Sequence, residues 1–543
     1  MINKLNSKRV LLLSLGLLVS SSSFSALKPS IRAPVSNNFL FIENMIDREY
    51  FITPESLDPR FSGSNIWTKF ASRQTSLGYM GYVGWTANNR NVDMWLDNAL
   101  IHSPFQGLRC VQGGGSSAQC PAQGFFAPQY MDQYGFYKVT ARSGIYNGGY
   151  GFASFSPNAY EFMRSARVGS TTTLGLNYCS TEDNYNPARG ERCSTHATRG
   201  NWYKANFNLT KTAHITLEDT RGAGEIWIDS NGNPSLIDQN RYCKIGIVGR
   251  DSGIICQMVQ YDYQQSGGIP SGLRFNLIVD ETATRFRPAA TTIKISGDNG
   301  ASWYNYSRTA NRARDIFKSG RGHISVFFSN TFLKNLVVNR GSIQGQNDVF
   351  TFNFDNSNTP ESGYYQFSSS TKVNIIPREY AISIQPEEHS KGQMNGQIGS
   401  KKPIEFDYKV TLSAPRMANT VTAQVTGNRA TRNGLNYCRF SPTNQSYNVL
   451  IPAYLSYTNQ RNSTTRIRNS CGDSAVSIRD AAWAVLPWDR QQSGSFYTTA
   501  LKLSFPMDDD ASTSTQAGRS WEGTVFAEGL IEVKALWIGV NRN

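Results

Sequence analysis

Residues 521–537 read Trp521-Glu-Gly-Thr-Val-Phe-Ala-Glu-Gly-Leu-Ile-Glu-Val-Lys-Ala-Leu-Trp537, WEGTVFAEGLIEVKALW, close to the C terminus of a 543-residue chain. From Val525 onward every odd position is apolar or glycine: Val525, Ala527, Gly529, Ile531, Val533, Ala535 and Trp537. Thr524, Glu528, Glu532 and Lys534 take even positions. A period of two marks a half-buried β-strand, or a hairpin around Glu528-Gly529. Chain ends usually fray. A closing strand this amphipathic needs something lying against its apolar side.

The same period recurs upstream. Short alternating runs include AHITLEDT (213–220), GEIWIDSNGNPSLI (224–237), TTIKISGDNGASW (291–303), HISVFFS (323–329), DVFTFNFDN (348–356) and IEFDYKVTLS (404–413). Asn231-Gly232 and Asn299-Gly300 suit tight hairpin turns. Helical signals are few: Ser156-Pro157 opens one through Arg167, and Ser329-Asn330 opens another carrying Phe332, Leu333, Leu336 and Val337. Asp480 to Leu486 reads as a third. The predicted class is all-β, tandem immunoglobulin-like sandwiches. After a leader at 1–25, the expected domains are 26–209, 210–377 and 378–543. The polar stretch 386–402 is either a linker or a long loop.

Lys4, Lys8 and Arg9 precede the apolar run Val10–Val19 and a serine-rich stretch with Ser23 and Ser25 at −3 and −1. This is the pattern of a secretory signal peptide cut after Ser25; the run is too short to span about 30 Å of hydrocarbon. Export favours oxidised cysteines. The eight form sequence-local couples: Cys110 with Cys120, Cys179 with Cys193, Cys243 with Cys256, and Cys438 with Cys471. Neighbour pairing is expected, although eight cysteines allow about 105 connectivities. With five histidines and no C-x-x-C, a metal centre is not expected. Nor does any cofactor motif appear.

The formal charge is +14, of which the leader carries three, leaving +11. The densest basic group is Arg308, Arg312, Arg314, Lys318, Arg321 and His323. A solvated surface accounts for it; attraction to acidic glycans or lipid headgroups is the functional alternative. No nucleic-acid-reading motif is present.

Catalytic signatures are missing: there is no G-x-S-x-G, H-E-x-x-H or G-x-x-x-x-G-K-[ST]. Ser296-Gly-Asp298-Asn-Gly300-Ala-Ser-Trp303 matches one sialidase-like Asp-box, and the same residues serve a plain hairpin. An exported carbohydrate-active enzyme is the alternative class, with paired acids assembled only by folding. Trp67, Tyr79, Tyr82, Trp85 and Trp95 cluster in the first domain; flat rings stack on sugar faces, and core packing explains them equally. A receptor surface is expected to use Trp67, Tyr82 and Trp85 with Arg90 and Arg109.

Blocks along the chain, FLFIENM (39–45), FITPESLDPRFSGSNIWT (51–68), DMWLDN (93–98), GLRC (107–110), GNWY (200–203), TPESGYYQFSSS (359–370), IIPREYAISI (375–384), SFPMDDD (504–510) and the closing stretch, resemble the tip adhesins of the Escherichia coli common pilus. Those belong to an alternative chaperone–usher branch. The resemblance implies N-terminal sandwiches that touch host epithelial cells, support of early biofilm formation, and a C-terminal pilin-like domain. It also implies a periplasmic pilus chaperone, an outer-membrane usher, a major pilin subunit, copies of the chain itself and a host-cell receptor, a glycan among the candidates, as partners. Pilin domains of such systems lack one strand and accept it from a neighbour by strand addition. Ile531, Val533, Ala535 and Trp537 are then expected beside the groove. The mature N terminus, ALKPSIRAPVSNN (26–38), carries Pro29 and Pro34 and looks a poor donor strand, which fits a tip position. A purely structural pilus subunit is the further alternative.

Overall fold

The structure is a computed structural model. It describes residues 26–539 except 56–60, 67–68, 71–72, 75–76, 88, 111–120, 141–149, 221, 238–240, 340–342, 344–348, 358–363, 388–392, 444–445 and 490–491. The leader and Cys120 therefore lie outside the described residues. Two compact units form, one from the described residues of Met1–Asn38, Asp58–Ala166 and Ser170–Thr210, the other from those of Phe39–Leu57, Arg167–Gly169 and Lys211–Asn543.

The first unit is a sandwich of two sheets. In one, strands run in the order Tyr130–Met131, Gly135–Thr140, Asn91–Leu96, Thr171–Thr181, the first half of Asn201–Glu218, and Pro29–Ile31. The other orders Phe61–Ser64, Tyr79–Thr86, Tyr150–Phe155, Phe105–Arg109 and Phe125–Phe126. Alternation decides what each face carries. Val92, Met94, Leu96, Leu174, Leu176, Ala205 and Phe207 are buried inside. On the opposite face of the first sheet sit Asp93, Trp95, Asn177, Cys179, Trp202 and Lys204. Part of that face is covered by the segment that follows Thr181, pinned by the Cys179–Cys193 disulfide. Asp93 holds the cover down: its carboxylate accepts from the Cys193 and Lys138 amides, both at 2.8 Å, and from the Tyr185 hydroxyl.

In the second unit, strand Asp251–Gln265 pairs with Gly320–Ser329 on one edge. Its other edge pairs with Cys243–Val248 and with the second half of Asn201–Glu218. Cys243 and Cys256 sit opposite each other and are bridged. Leu273–Val279, Phe350–Asn356 and Tyr364–Ser368 form a separate antiparallel sheet, rich in stacked phenylalanines such as Phe275 and Phe352, 5.7 Å apart. The C-terminal sandwich has one sheet ordered Ala381–Pro386, Ile404–Ala414, Gln492–Phe505, Tyr454–Thr458, Thr464–Arg468, and a second ordered Val476–Ser477, Thr420–Gly427, Gly529–Leu536. Cys438–Cys471 staples it. Cys110 is likewise disulfide-bonded.

Residues 211–377 and 378–543 share a core: Trp227, Ile376 and Phe496 are fully buried together. The Trp227 and Phe496 rings lie 5.3 Å apart and the Arg378 guanidinium sits 4.5 Å over Trp488. That sharing is why the two stretches form one compact unit. The 386–402 stretch joins two strands of the last sandwich rather than two domains, since Ala381–Pro386 before it and Ile404–Ala414 after it are neighbours in one sheet.

Helix signals fared unevenly. Ser156 caps Pro157–Ser165 and Ser329 caps Asn330–Val338, each side chain accepting from an amide of the first turn. The helix expected from Asp480 is corrected. Ala484–Asp489 is a strand paired with Gln492–Phe505, and the Asp480 carboxylate accepts from the Tyr457 hydroxyl at 2.6 Å instead of capping a turn.

Burial of Asp93 raises its carboxyl from the ordinary 3.8 to about 6 against its hydrogen bonds, which pull the other way. A raised carboxyl binds its proton more tightly folded than unfolded, so its stabilising effect is full below pH 3.8 and is lost as pH climbs through 6. The unfolding midpoint should therefore fall between about pH 4 and pH 7 by a larger step in the wild type than in Asp93→Asn, read by denaturant titration at both pH values.

Candidate functional site

The closing stretch lies at an open seam of the C-terminal sandwich. Strand Gly529–Leu536 pairs along one edge with Thr420–Gly427, in register from Thr420↔Leu536 to Gly427↔Gly529. Strand Ala381–Pro386 pairs along one edge with Ile404–Ala414. Each is the terminal strand of its sheet, and among the described residues neither has a ladder partner on its other side. The two approach within 8 Å, Cα to Cα. They run opposite ways past each other, Tyr380 meeting Trp537 edge-to-face at 5.7 Å.

Between them is a groove with an apolar floor. Ile531, Val533, Ala535 and Trp537 from one side and Ile382 and Ile384 from the other are only half-buried. They rest on the fully buried Val410, Leu412, Val421, Ala423 and Leu501. Alternation puts the odd residues on this floor and leaves Leu530, Lys534 and Leu536 exposed on the outer face. Trp537 is fixed by its indole N–H, which donates to the Arg416 carbonyl at 2.9 Å. The segment that leads into Gly529–Leu536 lines a separate cavity of about 770 Å3, with Ile404, Phe440, Met507, Trp521 and Val525 among its walls. There the chain leaves the strand, and Phe526 exchanges both backbone hydrogen bonds with Ser441 at 2.9 Å. No turn at Glu528-Gly529 folds the stretch back on itself: the segment before Gly529 bridges to Ser441 while Gly529–Leu536 follows Thr420–Gly427.

Two features of the groove escaped the sequence reading. Ile382 and Ile384 supply its second wall, and their own period of two within IIPREYAISI was the available signal. Tyr380, the stop at one end, carries a positive φ of 52° and gave none.

The segment that follows the expected leader is already engaged. Pro29–Ile31 pairs in parallel with Trp202–Lys204 in the first unit. The Leu27 amide donates to the Ser194 carbonyl at 3.1 Å, the Arg32 amide to the Lys204 carbonyl at 2.8 Å, and the Arg32 guanidinium lies 4.5 Å over the Tyr203 ring.

Among the expected receptor residues, Trp67 lies outside the described residues. Tyr82 and Trp85 fall on strand Tyr79–Thr86. Arg90 is half-buried with Nη2 3.4 Å from Glu182 Oε1. Arg109 is corrected: it is 4% exposed, its guanidinium stacked 3.6 Å over the Tyr79 ring, so it belongs to the interior. The basic group around Arg308 is knit into local contacts: Arg308 to Glu281 at 2.5 Å, Arg312 to Asp315 at 3.0 Å, and Arg314 to the Ile269 carbonyl at 3.0 Å. The Asp-box residues close a hairpin between Ile293–Ser296 and Tyr304–Asn305. Asp298 accepts from the Ser302 amide at 2.8 Å, and Asn299 and Gly300 take φ of 58° and 91°. No group of three or more metal-ligating side chains occurs among the described residues, and no described helix is long and apolar enough to cross a membrane.

Family models match the chain in three consecutive blocks. They are the N-terminal domain of the E. coli common pilus adhesin EcpD at residues 27–215, its middle domain at 219–372 and the EcpD C-terminal domain at 379–535. The fimbria adhesin EcpD of Escherichia coli K12 is 34% identical over 549 residues, covering 97% of this chain and 99% of that one; the O157:H7 counterpart matches to the same extent. Among solved structures, the CFA/I adhesin CfaE of enterotoxigenic E. coli, in a single-residue mutant form, aligns with 59% of this chain and 94% of its own at 7% identity; at a TM-score of 0.20 it carries no argument. The class is that of fimbrial adhesins. Within it, this chain belongs to the EcpD family of common pilus adhesins.

Trp537→Ala removes the edge-to-face contact with Tyr380 and the hydrogen bond to Arg416 while leaving the strand pairing intact. A half-buried tryptophan should cost about 2 kcal/mol, roughly half the value for a fully buried one, measured as a lowered denaturant midpoint of the C-terminal transition.

Proposed function

We propose that this chain is the tip subunit of a chaperone–usher fimbrium, held to the fibre through the groove of residues 378–543 and meeting the host cell through residues before 378. The observation that carries the reading is the pair of partnerless strand edges, Ala381–Pro386 and Gly529–Leu536, facing each other over half-buried apolar side chains among the described residues. A strand laid between them, for which the edges must part from within 8 Å to about 9.5 Å, twice the inter-strand spacing, completes both ladders and covers Ile382, Ile384, Ile531, Val533 and Ala535. Full burial of a large aliphatic side chain contributes about 1.5–3 kcal/mol, and these residues have roughly half of that still to gain. Backbone pairing sets the register of such an insertion, and alternate side chains set its specificity.

The occupants follow from this chemistry: a periplasmic chaperone first, handed on at an outer-membrane usher, then the N-terminal extension of a major pilin. The N-terminal segment here, carrying prolines and docked on its own first unit, does not donate to a further subunit, which supports a terminal position over self-polymers. Export through the periplasm and display at the cell surface follow, with adherence to epithelial cells and early biofilm growth as the work done. The reading includes no catalysis, since the Asp-box residues are accounted for by their hairpin.

The test is purification of the full mature chain from periplasm with its chaperone. The wild type should emerge one-to-one with it, and a synthetic peptide of alternating apolar residues should displace the chaperone and raise the thermal midpoint. At roughly one hundred times its Kd, the peptide adds about 2.7 kcal/mol. Ile384→Asp with Val533→Asp should abolish both effects. A chain that comes out alone, resists denaturant and ignores the peptide overturns the reading.

A further inference from the structure

The first unit carries a row of rings, exposed and half-buried at its ends and buried in between, on the face of a sheet turned away from its sandwich core. Tyr130, Tyr137, Trp95 and Trp202 follow one another at centroid spacings of 6.1, 6.2 and 5.9 Å on the outer face of the first sheet. Three strands and a short edge strand of that sheet place them there, and the inner positions of the sheet are already filled by Met94, Leu96, Leu176 and Ala205. Tyr130 is 38% exposed, whereas Tyr137 is 5% exposed, buried beneath the Arg192 guanidinium. Trp95 and Trp202 are half-buried, one side of each packed on the disulfide-pinned cover at Tyr185 and Cys193. Their interplanar angle of 38° makes a shallow cradle rather than a flat wall.

The cradle is held rigid by polar groups. The Trp202 indole N–H donates to Asn177 Oδ1 at 3.1 Å, and Asn177 Nδ2 donates to Asp97 Oδ1 at 2.8 Å. Lys204 Nζ lies 2.8 Å from Asp97 Oδ2. Gly175 keeps the floor open beside them: a Cβ there would meet the Asp97 carboxylate at 2.2 Å. At the other end the Arg192 guanidinium covers Tyr137 at 4.0 Å and faces Asp132 at 3.8 Å. Lys204 and Arg192 therefore each have a carboxylate of their own. Fixed aromatic faces with neighbouring hydroxyl-reading groups recognise the C–H faces of sugars, and compensated charge offers no surplus to an anionic ligand.

We propose that the accessible rings of this row form a binding site for neutral, unsulfated and non-sialylated saccharides, with Trp95 and Trp202 as the stacking platform, Asp97 and Lys204 as the groups that read hydroxyls, and Tyr130 as an outlying contact. The inference rests on the reading that residues before 378 make the host contact, and it names the chemistry of that contact.

The experiment uses chaperone-bound full chain on immobilised neutral hexose and pentose oligosaccharides beside their sialylated and sulfated counterparts, at low and high salt, with epithelial-cell binding in parallel. Wild type should bind neutral probes with little dependence on salt. Trp95→Ala and Trp202→Ala should weaken this about tenfold, the loss of about 1.4 kcal/mol, with Trp202→Phe retaining part of it. Near-ultraviolet circular dichroism and an intact Cys179–Cys193 bridge confirm folding; Tyr130→Ala, at an exposed position, is the second variant if either tryptophan change misfolds, and should also weaken binding. Folded variants that bind like wild type overturn the site. Binding confined to sialylated or sulfated probes, or to cells but no saccharide, overturns the ligand class. Wild type that binds neither cells nor any probe sinks the host-contact reading itself.

Discussion

An unfilled backbone edge governs this molecule. A strand at a sheet margin offers a row of amide and carbonyl groups, and proteins ordinarily cover, charge or bend such margins. Here two margins face each other over aliphatic side chains, with Tyr380 and Trp537 closing one end. The terminal stretch is amphipathic because its inner face packs, half-buried, on the core of the C-terminal sandwich. Leu530, Leu536 and Ile538 add exposed apolar surface in the same region, which makes it the least self-sufficient part of the C-terminal sandwich.

The two ends of the chain take opposite roles. At the C terminus the last described strand leaves one edge empty. At the N terminus three residues commit their pairing capacity to Trp202–Lys204 of the same unit. On the proposed reading, a vacant acceptor and a committed N terminus let the subunit add to a fibre in one direction only. Heterologous joints extend indefinitely when both halves are available, and in that reading the docked N terminus is what limits growth.

Much of this was legible in the sequence. A period of two is a local property, and it located Gly529–Leu536 and assigned Ile531, Val533, Ala535 and Trp537 to one face. Capping is local too, and Ser156 and Ser329 announced their helices. What failed was non-local. Residues 480–486 carry a plausible cap, yet pairing with Gln492–Phe505 overrides it. Arg109 looked like a surface cation, yet its partner, Tyr79, comes from another strand of the same sheet. The wall opposite the last strand lies far upstream, and no local pattern signals that Ile382 and Ile531 share a floor.

The buried cluster of Trp227, Ile376 and Phe496 has a mechanical consequence. On the proposed reading, tension on a filament pulls at the strand lodged beside Gly529–Leu536, and it reaches the rest of the subunit through the sheets on either side. Phe496 lies in one of those sheets, on strand Gln492–Phe505, and its ring is interlocked with Trp227. Load therefore enters residues 211–377 through packed side chains as well as along the peptide connection at Pro377. A pull on the C-terminal sandwich then strains a shared interior rather than a slack tether.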